Sequence, residues 1–378
     1  MNMHHFYHRV FQAAFLTCLL APLCACGASS LKTGFNVTGG MQVNRFGHTA
    51  TLLNDGRVLF TGGTDDSGQS TATAEVYDPA TGRFHLVGSM TSPREGHVAT
   101  LLKSGRVLVV GGSLNSSTSS ILNSAELYDP TTDTFTATRS MLTGRTGAAA
   151  TLLADGRVLL TGGIGPTPTA DAIDSTEIYD PASQTFLSAA HMTTVRVNHV
   201  ATLLTSGEVL VAGGRTSIFS ETSSAEIYDP TANTFTAVGP MSDRRCFLPS
   251  PINLPSGEVL VIGGATIVFA EVANTDTSDI YDPNTHNFTP SVNMLSSRNS
   301  HSATLLQDGR ILVTGGLTCC FQLRMASAEL LNPSSAVDQP AGNMLEARAA
   351  HTATLLQNGH VLIAGGGDAA ISAELYVP

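Results

Sequence analysis

Seven Gly-Gly pairs recur along this 378-residue chain at intervals of 49 to 52 residues. Self-similarity at a fixed period of this length marks a repeat architecture, in which each unit buries its faces against its neighbours. The period therefore constrains the fold before any local propensity is considered. The second glycines of the pairs are Gly63, Gly112, Gly163, Gly214, Gly264, Gly316 and Gly366.

Every copy carries the same signals in the same order. It opens with Met-x3-Arg, which a short Thr- and Leu-rich run and a turn glycine follow. An apolar run then leads to the Gly pair. After a variable loop come Glu-x-Tyr-Asp-Pro and a segment marked by Phe. These signals predict four short antiparallel strands per unit, the pattern of a β-propeller blade. The repeat arginines are Arg45, Arg94, Arg145, Arg196, Arg245, Arg298 and Arg348, and Val337 is aligned with the outer-strand Phe in the sixth copy.

The ends of the chain predict how the ring closes. The seventh unit stops at Pro378, directly after its third strand, while Phe35 and Met41 repeat the spacing of Phe84 and Met90. We therefore expect residues near 33–40 to supply the missing outer strand beside residues 372–376, which leaves no open sheet edge at the seam. The prediction is an all-β, seven-bladed propeller over residues 33–378.

These motifs resemble the kelch motif over roughly residues 33–378, with Phe on the outer strand where the family usually has Trp. The resemblance implies a kelch-type β-propeller. Kelch propellers range from protein-binding modules to galactose-oxidase-like and sialic-acid-epimerase-like enzymes, so the resemblance alone names no activity.

The first residues predict export. Arg9 precedes an apolar run from Val10 to Leu23, too short for a membrane span, and the run ends in small residues and Cys26. We expect residues 1–25 to be a signal peptide with a lipobox-like end, Cys26 to carry lipid, and residues 26–32 to be a tether. The expected location is the outer membrane or the periplasm as a lipoprotein, with plain secretion as the alternative.

Charge excludes some partners. The formal net charge is −11 and charged residues are only 13% of the chain, which argues against nucleic acid and against an anionic bilayer as ligands of the propeller. Membrane contact is expected only through the N-terminal lipid. We expect a monomer without a cofactor.

The variable loops after the Gly pairs are the expected binding surface, because function concentrates in variable loops on a rigid scaffold. A patch of Phe and Ile is more often a partner surface than a catalytic pocket, and no catalytic motif is present. We expect a non-catalytic scaffold that binds a protein or a glycan; a sugar mutarotase or epimerase at the tunnel mouth is the alternative. The candidate binding residues are Phe46, Glu95, Asn198, Arg215, Phe219, Phe247, Phe269, Asn299, Phe321 and Arg324.

Three further sets of residues have competing interpretations. Five histidines at one repeat position (His48, His97, His199, His301 and His351) could suggest a metal, but interblade packing is the preferred reading. The repeat arginines and the Glu of each third strand, Asp279 in the fifth copy, are interpreted as buried pairs. Two interpretations stay open for Cys246, Cys319 and Cys320: one disulfide among them, which includes a vicinal Cys319–Cys320 bridge, or free thiols.

Overall fold

Each repeat forms one sheet of four antiparallel strands, and seven such sheets form the ring in the described part of the chain. The computed structural model describes residues 31–65, 67–115, 120–166, 171–217, 220–247, 251–268, 271–318, 323–335, 337–367 and 371–378. All regular elements in these ranges are strands, so none of their segments forms a helix of the length and apolarity that crossing a membrane requires.

The strands are named by their place in the blade, from the central axis outwards. The innermost strands are β2 (Thr49–Leu52), β6 (Val98–Leu101), β10 (Ala149–Leu152), β14 (Val200–Leu203), β20 (Ile252–Asn253), β26 (Ser302–Leu305) and β30 (Thr352–Leu355). The second strands are β3 (Val58–Thr61), β7 (Val107–Val110), β11 (Val158–Thr161), β15 (Val209–Ala212), β21 (Val259–Ile262), β27 (Ile311–Thr314) and β31 (Val361–Ala364).

The outer half of each blade repeats in the same way. The third strands are β4 (Ala74–Asp78), β8 (Ala125–Asp129), β12 (Thr176–Asp180), β18 (Ala225–Asp229), β24 (Ser278–Asp282), β28 (Met325–Asn332) and β32 (Ala373–Val377). The outermost strands are β5 (Arg83–Leu86), β9 (Thr134–Ala137), β13 (Thr185–Ser188), β19 (Thr234–Val238), β25 (Asn287–Pro290), β29 (Val337–Arg348) and, in the seventh blade, β1 (Gly34–Val37).

The core lies between neighbouring blades rather than inside any one of them. All seven second strands are buried along their whole length, because both faces of each sheet are covered by the adjacent sheets. For example, Leu108 and Val110 of blade 2 pack in one cluster with Val158 and Leu160 of blade 3. This arrangement makes each blade depend on two partners, as expected for a repeat array.

The N-terminal strand closes the ring, as predicted. β1 pairs antiparallel with β32, with Phe35 opposite Tyr376 and Gly34 opposite Val377. The Phe35 and Tyr376 rings lie 5.0 Å apart between centroids, within the range of favourable aromatic contacts. The chain start therefore completes the sheet that the chain end leaves one strand short.

Blade 6 departs from the repeat in its outermost strand. Register places Asp338 opposite Leu331, the position at which Phe84 lies opposite Tyr77 in blade 1. The alignment of Val337 with the outer-strand Phe was therefore wrong by one residue; Val337 pairs with Asn332 and is half exposed. A carboxyl group replaces an aromatic ring at this one place.

Two surfaces of the ring differ in their connections. The loop face carries the segments that follow the Gly pairs, together with the Met-x3-Arg connections between blades. Blades 4 and 5 add hairpins here, β16 (Arg215–Ser217) with β17 (Ser220–Glu221) and β22 (Ala265–Val268) with β23 (Glu271–Asn274). The turn face carries the short Gly turns between first and second strands and the turns after the third strands, which are Asp-Pro turns in blades 1 to 5 and an Asn-Pro turn in blade 6.

Candidate binding site at the tunnel mouth

A ring of seven residues in left-handed backbone conformation encircles the central axis on the loop face. Each stands two positions after a repeat arginine, and we call the set the mouth ring. Five of its seven junctions are bridged by a main-chain hydrogen bond, for example from the Asn198 N–H to the Gly147 carbonyl at 2.9 Å. These main-chain hydrogen bonds tie neighbouring blades together at the tunnel mouth. Its members are Gly47, Gly96, Gly147, Asn198, Phe247, Ser300 and Ala350.

Phe247 is the least expected member of this ring. Its φ is 51°, a region that a bulky residue rarely adopts and that costs about 1–3 kcal/mol when it does. The Arg215 guanidinium carbon lies 5.2 Å from the centre of the Phe247 ring, which places a cation over an aromatic face. Arg215 comes from the extra hairpin of blade 4, so two predicted binding residues from neighbouring blades meet at the mouth.

A second pair of the same kind lies across blade 7. The Arg324 guanidinium carbon is 5.2 Å from the centre of the Phe46 ring, although the two residues belong to blades 6 and 1. Blade 7 between them has only small side chains, Ala349 and Ala350, at its mouth positions. The structure therefore groups four of the predicted binding residues into two Arg–Phe stacks.

The other candidate residues contribute differently. Asn299 is buried, and its amide donates to Asn274 Oδ1 at 2.6 Å while Asn274 donates to the Leu317 carbonyl at 2.6 Å, which ties the blade 5 hairpin to blade 6. Glu95 pairs with Ser113 through main-chain hydrogen bonds, and Asn198 is in the mouth ring. Phe219, Phe269 and Phe321 lie outside the described residues, as does Cys26.

Sequence reasoning missed one buried acid beside these residues. Glu221 lies opposite Arg215 in the blade 4 hairpin, is only 6% exposed, and its Oε1 accepts no hydrogen bond within the described chain. Cys246, next to Phe247, is fully buried, has no disulfide partner among the described residues, and its thiol donates to the Ala265 carbonyl. Burial, assisted by the Glu221 charge, raises the pKa of Cys246 to about 12, so the thiol stays protonated. Cys319 and Cys320 lie outside the described residues.

The repeat arginines hold the platform beneath the mouth. Arg145 Nη1 donates to the carbonyls of Gly162 and Ser175, both at 2.9 Å, and Nη2 lies 2.7 Å from Glu177 Oε1. Burial lowers the pKa of Arg145, and the adjacent Glu177 opposes that shift. All seven arginines have a buried carboxylate partner of this kind, Asp279 in blade 5, so these charges are internal to the blades.

The Gly pairs let these connections approach the strands closely. Gly163 has a φ of 99°, and a Cβ added there would lie 2.8 Å from the Thr146 carbonyl oxygen. Its N–H donates to the carbonyl of Arg196 in the next blade at 2.8 Å. The recurring pair is therefore an interblade contact rather than a ligand loop.

The five histidines also lie between blades. His97 Nε2 lies 3.0 Å from Thr61 Oγ1 and 3.1 Å from Thr49 Oγ1, both in blade 1. The rings of His48, His199 and His351 make a similar hydrogen bond to a threonine. Neither ring nitrogen of His301 has such a partner within the described chain. Complete burial, assisted by Arg94, lowers the pKa of His97 to about 3. A neutral, enclosed imidazole offers neither an exposed metal ligand nor a general base at neutral pH. Among the described residues, no three His, Cys, Asp or Glu side chains are grouped to hold a metal ion.

Comparison with known proteins agrees with this architecture. A family model for the kelch motif matches residues 45–91, 97–142 and 197–242. A fungal alcohol oxidase of the AA5 family, solved in complex with copper, superposes with a TM-score of 0.75 and 18% identity over 92% of this chain and 77% of the oxidase. YjhT superposes with a TM-score of 0.62 and 14% identity over 81% of this chain and 99% of YjhT. No curated protein matches the sequence.

These likenesses show the fold alone. Galactose-oxidase-like copper chemistry would need Tyr, Cys and His together on the loop face, and the residues present do not fit. The tyrosines of the described chain lie on third strands; Tyr77, for example, is fully buried with its hydroxyl 2.8 Å from Thr38 Oγ1. The repeat period, the seven four-stranded sheets and the two structural neighbours lead to one conclusion: the chain folds as a β-propeller of seven blades, and three of its segments match the kelch motif.

Proposed function

We propose that this propeller is a non-catalytic binding scaffold that recognises a protein or a glycan on its loop face, at the tunnel mouth. The observation that carries the proposal is the pair of Arg–Phe stacks at the tunnel mouth, one of them built on the strained Phe247 of the mouth ring. Strained residues persist where the surroundings fix them, and such places are frequently binding sites. Aromatic and Arg side chains are also the types enriched in binding hot spots.

A rigid support favours binding over chemistry. The mouth ring is held by main-chain hydrogen bonds between blades, which fixes the two stacks without a large entropy loss on binding. A sugar mutarotase or epimerase would need an acid or base accessible at the mouth. The buried, neutral histidines do not supply one, and no other described contact favours that alternative.

We further propose that the protein acts at the cell envelope, held through lipid on Cys26. The support for this is the apolar segment from Val10 to Leu23 and the lipobox-like residues that follow it. Labelled palmitate should be incorporated into the wild-type protein and lost in Cys26→Ala. Equal incorporation into both would contradict the anchor but leave the binding proposal intact.

Glycan arrays and sugar anomerisation measured by NMR test the binding proposal with one set of variants. Arg215→Ala and Arg324→Ala each remove the cation of one stack, whereas Arg106→Ala removes an exposed cation of the turn face and is the matched control. A glycan retained by Arg106→Ala and lost in either loop-face variant supports a lectin. Anomerisation lost in the same variants would instead support the enzyme.

Protein partners require a second readout. A photoreactive phenylalanine analogue replacing Phe46 should crosslink to a discrete partner, and the same analogue replacing the exposed Leu86 on an outermost strand should not. Equal crosslinking at both positions, or binding of any ligand unaffected by Arg215→Ala and Arg324→Ala, would contradict recognition at the mouth.

A further inference from the structure

Two carboxyl groups in blade 6 share one hydrogen-bond donor. The Leu295 N–H donates to Glu329 Oε2 and to Asp338 Oδ2, both at 2.7 Å. In the other six blades the equivalent N–H donates to the carboxylate of the third strand, as it does here to Glu329. Asp338 is an additional acceptor, and it lies where blade 1 has Phe84.

This arrangement favours one shared proton over two negative charges. Glu329 is buried, and Asp338 Oδ1 is buried without a hydrogen-bond donor in the described chain. Two carboxylates held against the same nitrogen repel each other when both are ionised. Burial, followed by the contact with Glu329, raises the pKa of Asp338 to about 7. The pair therefore releases its proton near neutral pH.

Arg298 is the cation that faces the pair. Its Nη2 donates to Glu329 Oε1, and its Nη1 donates to the Gly315 carbonyl at 2.7 Å. Of the two acids, only Glu329 forms an ion pair within the described chain. Loss of the shared proton therefore leaves Asp338 charged beside Glu329, with no cation of its own.

The donor of the pair belongs to the segment that leads to the tunnel mouth. Leu295 and Arg298 lie in one Met-x3-Arg connection, and Ser300 of the mouth ring follows two residues after Arg298. The Ser300 N–H donates to the Phe247 carbonyl at 3.3 Å. One short segment is thus held at its outer end by the carboxyl pair and at its inner end by the residue that carries an Arg–Phe stack.

We infer that the Asp338–Glu329 pair is a pH switch for the tunnel mouth. With one proton shared, both carboxyl groups hold the Leu295 N–H and fix residues 294–300. When that proton is lost, repulsion loosens this segment and its link from Ser300 to Phe247. Control of binding in this way rests on the proposed function of the mouth, and binding should then be tighter in acid than in alkali.

The direction of the switch follows from proton linkage. An opened segment lets Asp338 return to its ordinary pKa and release a proton, so opening becomes more favourable as pH rises from about 4 to 7. His301, directly after Ser300, acts in the opposite sense. Its pKa is lowered to about 3 by burial, so an opened segment takes up a proton there as pH falls.

Amide hydrogen exchange measured by NMR tests this inference without any ligand. Wild type is compared with Asp338→Asn at pH 5 and again at pH 7.5, because at equal pH the intrinsic exchange chemistry and the effect of His301 cancel. From pH 5 to pH 7.5 the ratio of exchange rates, wild type over Asp338→Asn, should rise about tenfold or more at Leu295 and Ser300. The asparagine stays neutral at both pH values and keeps an acceptor for the Leu295 N–H.

Two controls separate the switch from general loosening. The Asn198 amide makes the same kind of link at another junction of the mouth ring, and Asp308→Asn removes an exposed carboxylate from the turn face of blade 6. The ratio should stay constant at Asn198, and Asp308→Asn should behave as wild type. An equal rise at Asn198 would mean that the whole ring loosens, which would overturn the switch.

Other outcomes also decide against the inference. A constant ratio at Leu295, or a rise at Leu295 without one at Ser300, would show that the pair does not control the mouth. Wild type labelled with 13C-aspartate needs no variant, and the lack of a carboxyl carbon that titrates near pH 7 would equally overturn the switch. Ligand binding that ignores Arg215→Ala and Arg324→Ala would contradict the proposed function instead, and would leave these exchange rates unchanged.

Discussion

Removing one buried repeat arginine should unfold the ring far more readily than removing an exposed arginine. Arg145→Ala deletes donors to two carbonyls and leaves Glu177, which is almost fully buried, without its cation. Removing one partner of a buried pair typically costs 3–5 kcal/mol, because the remaining charge is uncompensated. We expect a loss of about 4 kcal/mol for Arg145→Ala.

Arg157→Ala is the matched control in the same blade. Its partner Asp155 lies 2.6 Å away, but both side chains are more than a third exposed, and exposed pairs contribute ~0–1 kcal/mol. Urea unfolding followed by circular dichroism gives both losses in one experiment. The double variant Arg145→Met with Glu177→Leu should be more stable than Arg145→Ala, because no lone charge stays buried.

Equal losses of stability in Arg145→Ala and Arg157→Ala would contradict a structural role for the buried pair. The same holds if Arg145→Ala keeps its urea midpoint while a loop-face ligand binds more weakly. In that case the repeat arginine would serve recognition rather than the fold.

Three other perturbations probe the acid response and the seam. Burial and the adjacent Glu329 raise the pKa of Asp338 to about 7. The stability that the protonated carboxyl contributes is therefore lost as pH rises from about 4 through 7. Asp338→Asn should flatten this decline in a pH series of urea midpoints. His97 and His301 have pKa values of about 3 in the folded protein against ~6.5 when unfolded, so the free energy of unfolding falls as pH drops from about 6.5 to 3. At pH 5, His301→Ala should therefore gain stability relative to wild type. At pH 8, His97→Ala should be less stable than His301→Ala, because His97 loses its hydrogen bonds to threonine. Phe35→Ala at the seam should cost about 2 kcal/mol, below the value for a fully buried Phe, and the exposed Leu86→Ala under 0.5 kcal/mol; equal melting temperatures would contradict the closure.

The fold could be predicted because the same motif occurs seven times, so the assignment of each copy can be checked against the other six. The spacing of Phe35 and Met41 was sufficient to predict the closing strand, since register in an antiparallel sheet follows from the alternation of buried and exposed positions. The misplaced Val337 shows the limit: without an aromatic residue in the sixth copy, nothing in the sequence fixes the register to a single residue. Only the pairing of Leu331 with Asp338 does so.

The candidate site could be predicted only in part. The sequence places Arg215 and Arg324 on variable loops, but their stacking on Phe247 and Phe46 depends on which blades are neighbours and how far each loop reaches.

The pairing of β1 with β32 takes the place of the turn that follows the third strand in the other blades, an Asp-Pro turn in blades 1 to 5 and an Asn-Pro turn in blade 6, because Gly34 lies opposite Val377 at the far end of the last sheet from the tunnel mouth. The described chain therefore enters the ring at the pole opposite the Arg–Phe stacks. A molecule immobilised through a residue at the start of β1 should present these stacks away from the support. Joining 378 to 34 by a short turn and opening the chain at residue 181 should then give a circular permutant that displays the same stacks with its ends moved to another blade.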